Sequence, residues 1–191
     1  MSARPLRADA RANVSRLTEA ALDCFRDEGL GAPLDRIAKA AGVSQGTLYN
    51  RFGGRDGLID AVLPHLLADG LDTLEAELRE VADPGERLAI YVRGLVEMQG
   101  RDTALGDVVS GRYSSSAEVA AACTRTLATA TEIIADGVAS GTLVADLTAD
   151  DIQALLISTG AVRAHAQDPA DAERRAQRVT ELFLRSSRQA D

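Results

Sequence analysis

Residues 33 to 57, PLDRIAKAAGVSQGTLYNRFGGRDG, restrict this chain more than any other stretch. Two short helical patterns are joined at Gly42-Val43, and a Gly53-Gly54 break precedes the start of a third. From Asp35 to Ala41, residues Ile37, Ala38 and Ala41 recur on one face, with Arg36 and Lys39 on the other. Pro33 suits the first helical position, where a missing N–H is no loss. Gly42 stands where the helix stops, in a left-handed conformation that costs glycine nothing. Val43 turns inward, and Ser44 caps the next helix by accepting from an orphan N–H. That helix, Gln45 to Phe52, buries Leu48 and Phe52 at i and i+4. Gln45, Gly46, Thr47, Tyr49, Asn50 and Arg51 then face outward or flank the contact surface. Glutamine and asparagine pair with adenine, arginine with guanine or phosphate, and hydroxyls with phosphate. A turn of this kind lays its second helix in the major groove of DNA. The alternative is an ordinary helical hairpin with a polar outer face. The outward Tyr49, the very short second helix and the glycine pair weigh against it.

Residues from about Asn13 to Val62 resemble the N-terminal domain of the TetR family of transcriptional repressors. The resemblance rests on AALDCFRDEGL in the first helix, LDRIAKAAGVSQGTLYNRF after it, and Arg55 and Leu58 opening the next helix. It is ordered, free of gaps and covers roughly a quarter of the chain. Three positions depart from the family pattern. Ala32-Pro33 stands where a threonine cap is usual, Arg51 where His or Tyr precedes the Phe, and Arg55 where Lys is usual. The resemblance implies that Gln45, Asn50 and Arg51 face the groove. It implies that Thr47, Tyr49 and Arg55 hold phosphates, with Ser44 at the helix start and Lys39 or Arg36 assisting from the preceding helix. Arg55 opens a helix, where backbone N–H groups also favour an anion.

Charge is distributed to match. The chain carries a net charge of −8, which argues against a general nucleic-acid binder. Residues 1 to 57 are nevertheless net positive at +2, and the remainder stands at −10. An acidic body repels phosphate and orients the basic head toward it. The SARPLRADAR segment reads as a mobile arm that offers Arg4, Arg7 or Arg11 to a neighbouring groove, or as a plain disordered terminus.

Nothing in the first residues reads as a signal peptide, and Ile152 to Val162 is too short to span a bilayer at about 20 residues. The expected location is the cytoplasm. Cys24 and Cys123 suit neither a disulfide framework nor a zinc site, and two histidines are too few for a metal sensor. Cys24 reads as a buried structural thiol. Cys123 has no resolving partner nearby to support redox sensing. No metal or cofactor is expected.

The rest of the chain is helical by pattern, so the fold class is all-α: a three-helix head over residues 1–54 and a helical body over 55–191. Arg55 to about Val81 forms a long helix with Pro64 inside it, where a lost hydrogen bond predicts a kink. Pro84 to about Gly100 follows, then a weaker segment from Thr103 to Ser116, then Ala117 to Ser140. Thr148 and Asp151 have capping-box spacing and open a helix to about His165. Asp168-Pro169 starts the last one, to about Arg188. In the family, two such C-terminal helices per subunit form a four-helix dimer interface. The apolar candidates here are Ile152, Leu155, Leu156, Thr159, Val162, Val179, Leu182 and Phe183; packing within their own domain is the alternative. The middle helices are then expected to enclose an effector pocket, with His65, Tyr91, Met98, Arg112, Tyr113 and Thr126 as candidate lining groups.

The function implied is a homodimeric DNA-binding transcriptional regulator, a repressor released from its palindromic double-stranded operator by a small-molecule effector. Two rival readings are a helical protein-interaction adaptor and a TetR-like regulator without an effector. No phosphate loop, Ser/His/Asp ordering or metal motif supports an enzyme.

Overall fold

The computed structural model describes residues 4–109 and 117–189, with side-chain surroundings from Ala12 onward except at Glu118. Among the described residues there are nine helices: α1 Arg4–Glu28, α2 Leu34–Ala40, α3 Gln45–Phe52, α4 Arg55–Leu78, α5 Pro84–Arg101, α6 Thr103–Val109, α7 Ala117–Ala139, α8 Ala149–His165 and α9 Pro169–Ser186. The all-α expectation holds. The backbone of Arg4 to Arg11 is helical and continuous with α1, where a mobile arm was expected.

Local chemistry sets most of the boundaries. Gly42 ends α2 at φ 67° and Gly53 ends α3 at φ 77°, both left-handed. Ser44 Oγ accepts from Thr47 N–H at 3.2 Å and so satisfies one orphan donor at the start of α3. Asp83 caps α5 by accepting from Glu86 N–H at 2.7 Å, with Pro84 just inside the helix. The Asp151 carboxylate accepts from both the N–H and the hydroxyl of Thr148, which fixes the start of α8 and lowers the carboxyl's pKa. Asp168 caps α9 ahead of Pro169. Pro33 is the residue that caps α2 rather than its first turn, with extended backbone and no side-chain bond. Helix α4 runs through Pro64 as one element.

The apolar side chains form two clusters, and the division between them does not fall at residue 54. Leu17, Phe25, Ile37 and Leu48 of the head pack with Leu58 to Leu66 of α4 and with Ala104 and Leu105 of α6. Leu71, Leu74 and Leu78 of the same α4 belong to the second cluster, with α5, α7, α8 and Leu184 of α9. Met98 of α5 packs against both clusters. Helix α4 is therefore common to head and body, and α6 is a body helix seated on the head. The chain end is also held, because Val144 N–H donates to Ser187 O and Gln189 N–H to Thr142 O.

Candidate DNA-binding surface and ligand cavity

The head exposes the face of α3 that the sequence pattern assigns to DNA. Leu48 is fully buried and Phe52 half-buried, while Ser44, Gln45, Gly46, Tyr49, Asn50 and Arg51 are exposed. Tyr49 is 50% exposed, high for an aromatic with no partner surface in the monomer. Its ring lies over Gly54, where an added Cβ would come within 3.3 Å of Cε1. Thr47 is half-buried, and its hydroxyl shares a 2.9 Å hydrogen bond with Ser44 Oγ. Lys39 and Arg36 are exposed on α2, and Arg36 is paired with Glu28 at 2.9 Å.

Arg55 makes contacts beyond the expected one. Its Nη1 donates to Leu30 O at 2.6 Å and to Ala32 O at 2.7 Å. Two of the guanidinium's five N–H donors are thereby used on the loop between α1 and α2, and they tie the start of α4 to that loop. The same region contains a requirement that pattern reading misses: a Cβ on Gly57 would lie 1.9 Å from Phe52 O. Only glycine lets α4 start this close to the end of α3.

Leu30 is also held from the opposite side. Its N–H donates to Asp107 Oδ2 of α6 at 2.9 Å. Asp107 crowds Gly29 as well, since a Cβ there would meet Oδ2 at 2.6 Å. Arg26 with Asp102 at 3.2 Å adds a salt bridge between the end of α1 and the start of α6. One residue, Leu30, thus connects α6, through its N–H, with α4, through its carbonyl.

Behind α6 lies an apolar cavity of about 150 Å³. It is walled by Leu67 and Leu71 of α4, Leu95 and Met98 of α5, Leu105 and Val109 of α6, and residues of α7 and α8 including Thr126, Cys123 and Gln153. Among the described residues that line it, none is charged and none aromatic. Of the expected lining groups, Met98 and Thr126 are in the wall. Tyr91 is fully buried beside it, its hydroxyl donating to Thr126 O at 2.8 Å, and burial holds its pKa well above the usual phenol range. His65 is exposed on α4 and lines no part of the cavity, because it lies on the solvent side of that helix. Arg112 and Tyr113 lie outside the described residues. Cys123 stands at the cavity wall with its pKa raised by desolvation, which favours the neutral thiol over a reactive thiolate. Cys24 is buried in the head core, and its pKa is raised for the same reason. Among the described residues no group of His, Cys, Asp and Glu is arranged to hold a metal ion.

The α8 and α9 candidates for a dimer face divide. Ile152, Leu155 and Leu156 are buried in the second core cluster, Ile152 and Leu156 also line the cavity, and Thr159 is fully buried. Thr159 donates to Gln99 Oε1 at 2.9 Å, and Arg163 donates to the same oxygen at 3.2 Å. Those four residues are used by their own chain. Val162 is half-buried, and Val179 and Phe183 are half-buried against the core. Leu182 is 47% exposed, and so is Ile157, which the pattern reading left out. Apolar residues surround α8 on all sides, so periodicity could not say which side met its own core.

The family comparisons agree with this architecture. Residues 17–62 match the pattern described as bacterial regulatory proteins, tetR family, and residues 83–186 match the transcriptional regulator SbtR-like C-terminal domain. The HTH-type transcriptional regulator BetI 1 of Chromohalobacter salexigens is 36% identical over 81 residues, 41% of this chain and 40% of that protein's length. A TetR transcription regulatory protein from Mycobacterium vanbaalenii is 32% identical over 96% of this chain and 99% of its own, with a TM-score of 0.58. A putative transcriptional regulator from Saccharomonospora viridis, solved with choline, has a TM-score of 0.70 at 18% identity, covering 92% of this chain and 97% of its own. Together with the helix-turn-helix head, these matches define a DNA-binding transcriptional regulator rather than an enzyme. The chain belongs to the TetR family, and its body is of the SbtR-like type. No described helix is long and apolar enough to cross a membrane.

Proposed function

We propose that this chain is a homodimeric repressor that binds a palindromic operator and leaves it when a small molecule enters the body cavity. Gln45, Asn50 and Arg51 of α3 meet base edges, Thr47 and Tyr49 meet phosphates, and Lys39 and Arg36 assist from α2. Arg55 acts from behind by holding the α1–α2 loop and α4 in register. Dimerisation uses the exposed side of α8 and α9, where Ile157 and Leu182 are the apolar anchors. Two heads one helical turn apart, about 34–36 Å, then read two half-sites.

The observation that carries the effector reading is the dual role of α6. Leu105 and Val109 face the cavity, and Asp107 of the same helix holds Leu30. A ligand that shifts α6 changes the hold on Leu30 and so on α4 through Arg55. The two states must bind the ligand unequally for this to release DNA. Among the described residues the wall presents neither the aromatic faces nor the carboxylates that hold a quaternary ammonium such as the choline bound by the Saccharomonospora protein.

A gel shift with the DNA upstream of the gene tests the proposal. Saturable binding that weakens steeply with salt and prefers one sequence supports it, and no sequence preference at any salt overturns it. Binding that no cellular extract fraction reverses points to a regulator without an effector.

A further inference from the structure

Resting on the effector reading above, we infer that the ligand is an uncharged, largely apolar molecule about the size of one ring, with a single hydrogen-bonding group directed at Gln153. The argument starts from what the cavity wall cannot do. Its described lining is aliphatic apart from Gln99, Thr126, Cys123, Gln153 and the Met98 thioether. An ion entering such a space loses its hydration and finds no opposite charge among the described lining residues, so a neutral isostere is favoured over it.

The polar groups narrow the class further. Gln99 is already used: its Nε2 donates to Leu156 O at 2.9 Å, and its Oε1 accepts from Thr159 and Arg163. The Thr126 hydroxyl donates to Ala122 O at 3.0 Å. The Cys123 thiol, exposed and with its pKa raised by desolvation, is only a weak donor and acceptor. Gln153, exposed at the cavity rim on α8, is left as the side-chain amide available to a ligand. It serves an alcohol, ketone or amide as donor or acceptor. A volume of about 150 Å³ matches an apolar cavity known to hold a benzene-sized guest.

The test uses the full chain and three probes with the same ring: benzyl alcohol, benzoate and benzyltrimethylammonium. Isothermal titration calorimetry is expected to show saturable binding of benzyl alcohol, with the two ions at least about tenfold weaker. Gln153→Leu weakens benzyl alcohol about two- to tenfold, the value of one hydrogen bond. Ala122→Phe fills the half-buried wall and abolishes binding. Leu127→Lys, on the same wall, reverses the preference toward benzoate. Equal or tighter binding of either ion to the unaltered chain overturns the class, as does failure of all three probes to bind. Binding that survives Ala122→Phe locates the ligand elsewhere and also overturns it. DNA release is read separately. Neutral-selective binding that leaves the operator complex intact supports the ligand class and overturns the effector reading instead.

Discussion

Replacing Asp107 tests whether one carboxylate joins the body to the head. Leu30 is 6% exposed and its N–H has Asp107 Oδ2 as acceptor at 2.9 Å. Asp107→Ala leaves that donor unpaired in a largely buried site, at a cost of about 1–3 kcal/mol. The other ties between α1 and α6 do little to compensate. The Arg26–Asp102 pair has one partner 45% exposed and is worth about 1 kcal/mol or less. Thr103 to Asp27 O is a long contact at 3.4 Å. For a chain of this size each kcal/mol moves Tm by about 2–4 °C, so the expected fall is about 2–12 °C. The assay is urea and thermal unfolding at one fixed protein concentration, since dimer stability depends on concentration. Asp107→Asn keeps an oxygen acceptor and should recover at least half of the loss. Combining Asp107→Ala with Arg55→Ala should be non-additive by about 0.5–3 kcal/mol, because both side chains hold the backbone of the same residue, Leu30. An Asp107→Ala variant within about 0.5 kcal/mol of the parent, below the cost of an orphaned buried donor, refutes the reasoning. So does an Asn variant as unstable as the Ala variant.

Gly57→Ala forces a Cβ to within 1.9 Å of Phe52 O; it should destabilise the head by about 3 kcal/mol or more, seen as early loss of DNA binding on heating. Glu75 has its pKa lowered from the ordinary 4.5, chiefly by the Arg125 hydrogen bond. Its contribution is therefore complete above about pH 4.5 and disappears as pH falls through the lower folded value. Arg125→Gln should flatten this part of the acid limb by about 1 kcal/mol, measured by urea melts from pH 3 to 7. Ile157→Glu or Leu182→Glu should shift the chain toward monomer in analytical ultracentrifugation and weaken operator binding, while helical content is unchanged. Dimers as tight as the parent in both variants would remove these side chains from the interface.

The head was readable from local sequence because its instructions are local. Ser44 and Gly42 act within four residues of themselves, and Leu48 with Phe52 reports which side of α3 is buried. The helices of the body were legible for the same reason, down to the Thr148–Asp151 and Asp168-Pro169 starts. What escaped involves contacts across long stretches of chain. Arg55 reads in sequence as a phosphate contact, and nothing local shows that its Nη1 also meets carbonyls 23 and 25 residues away. His65 looked like a pocket residue, yet the side of α4 it occupies faces solvent.

By itself the sequence determined an all-helical chain with a helix-turn-helix head, because caps, glycine stops and apolar spacing act over one or two turns of helix. Only the tertiary structure decided which apolar residues of α8 enter the core and which stay outside. It also decided that Gly57 must remain glycine and that Asp107 meets Leu30 from 77 residues away. These depend on how helices pack in three dimensions, and periodicity along one helix does not say which of its sides meets a neighbour.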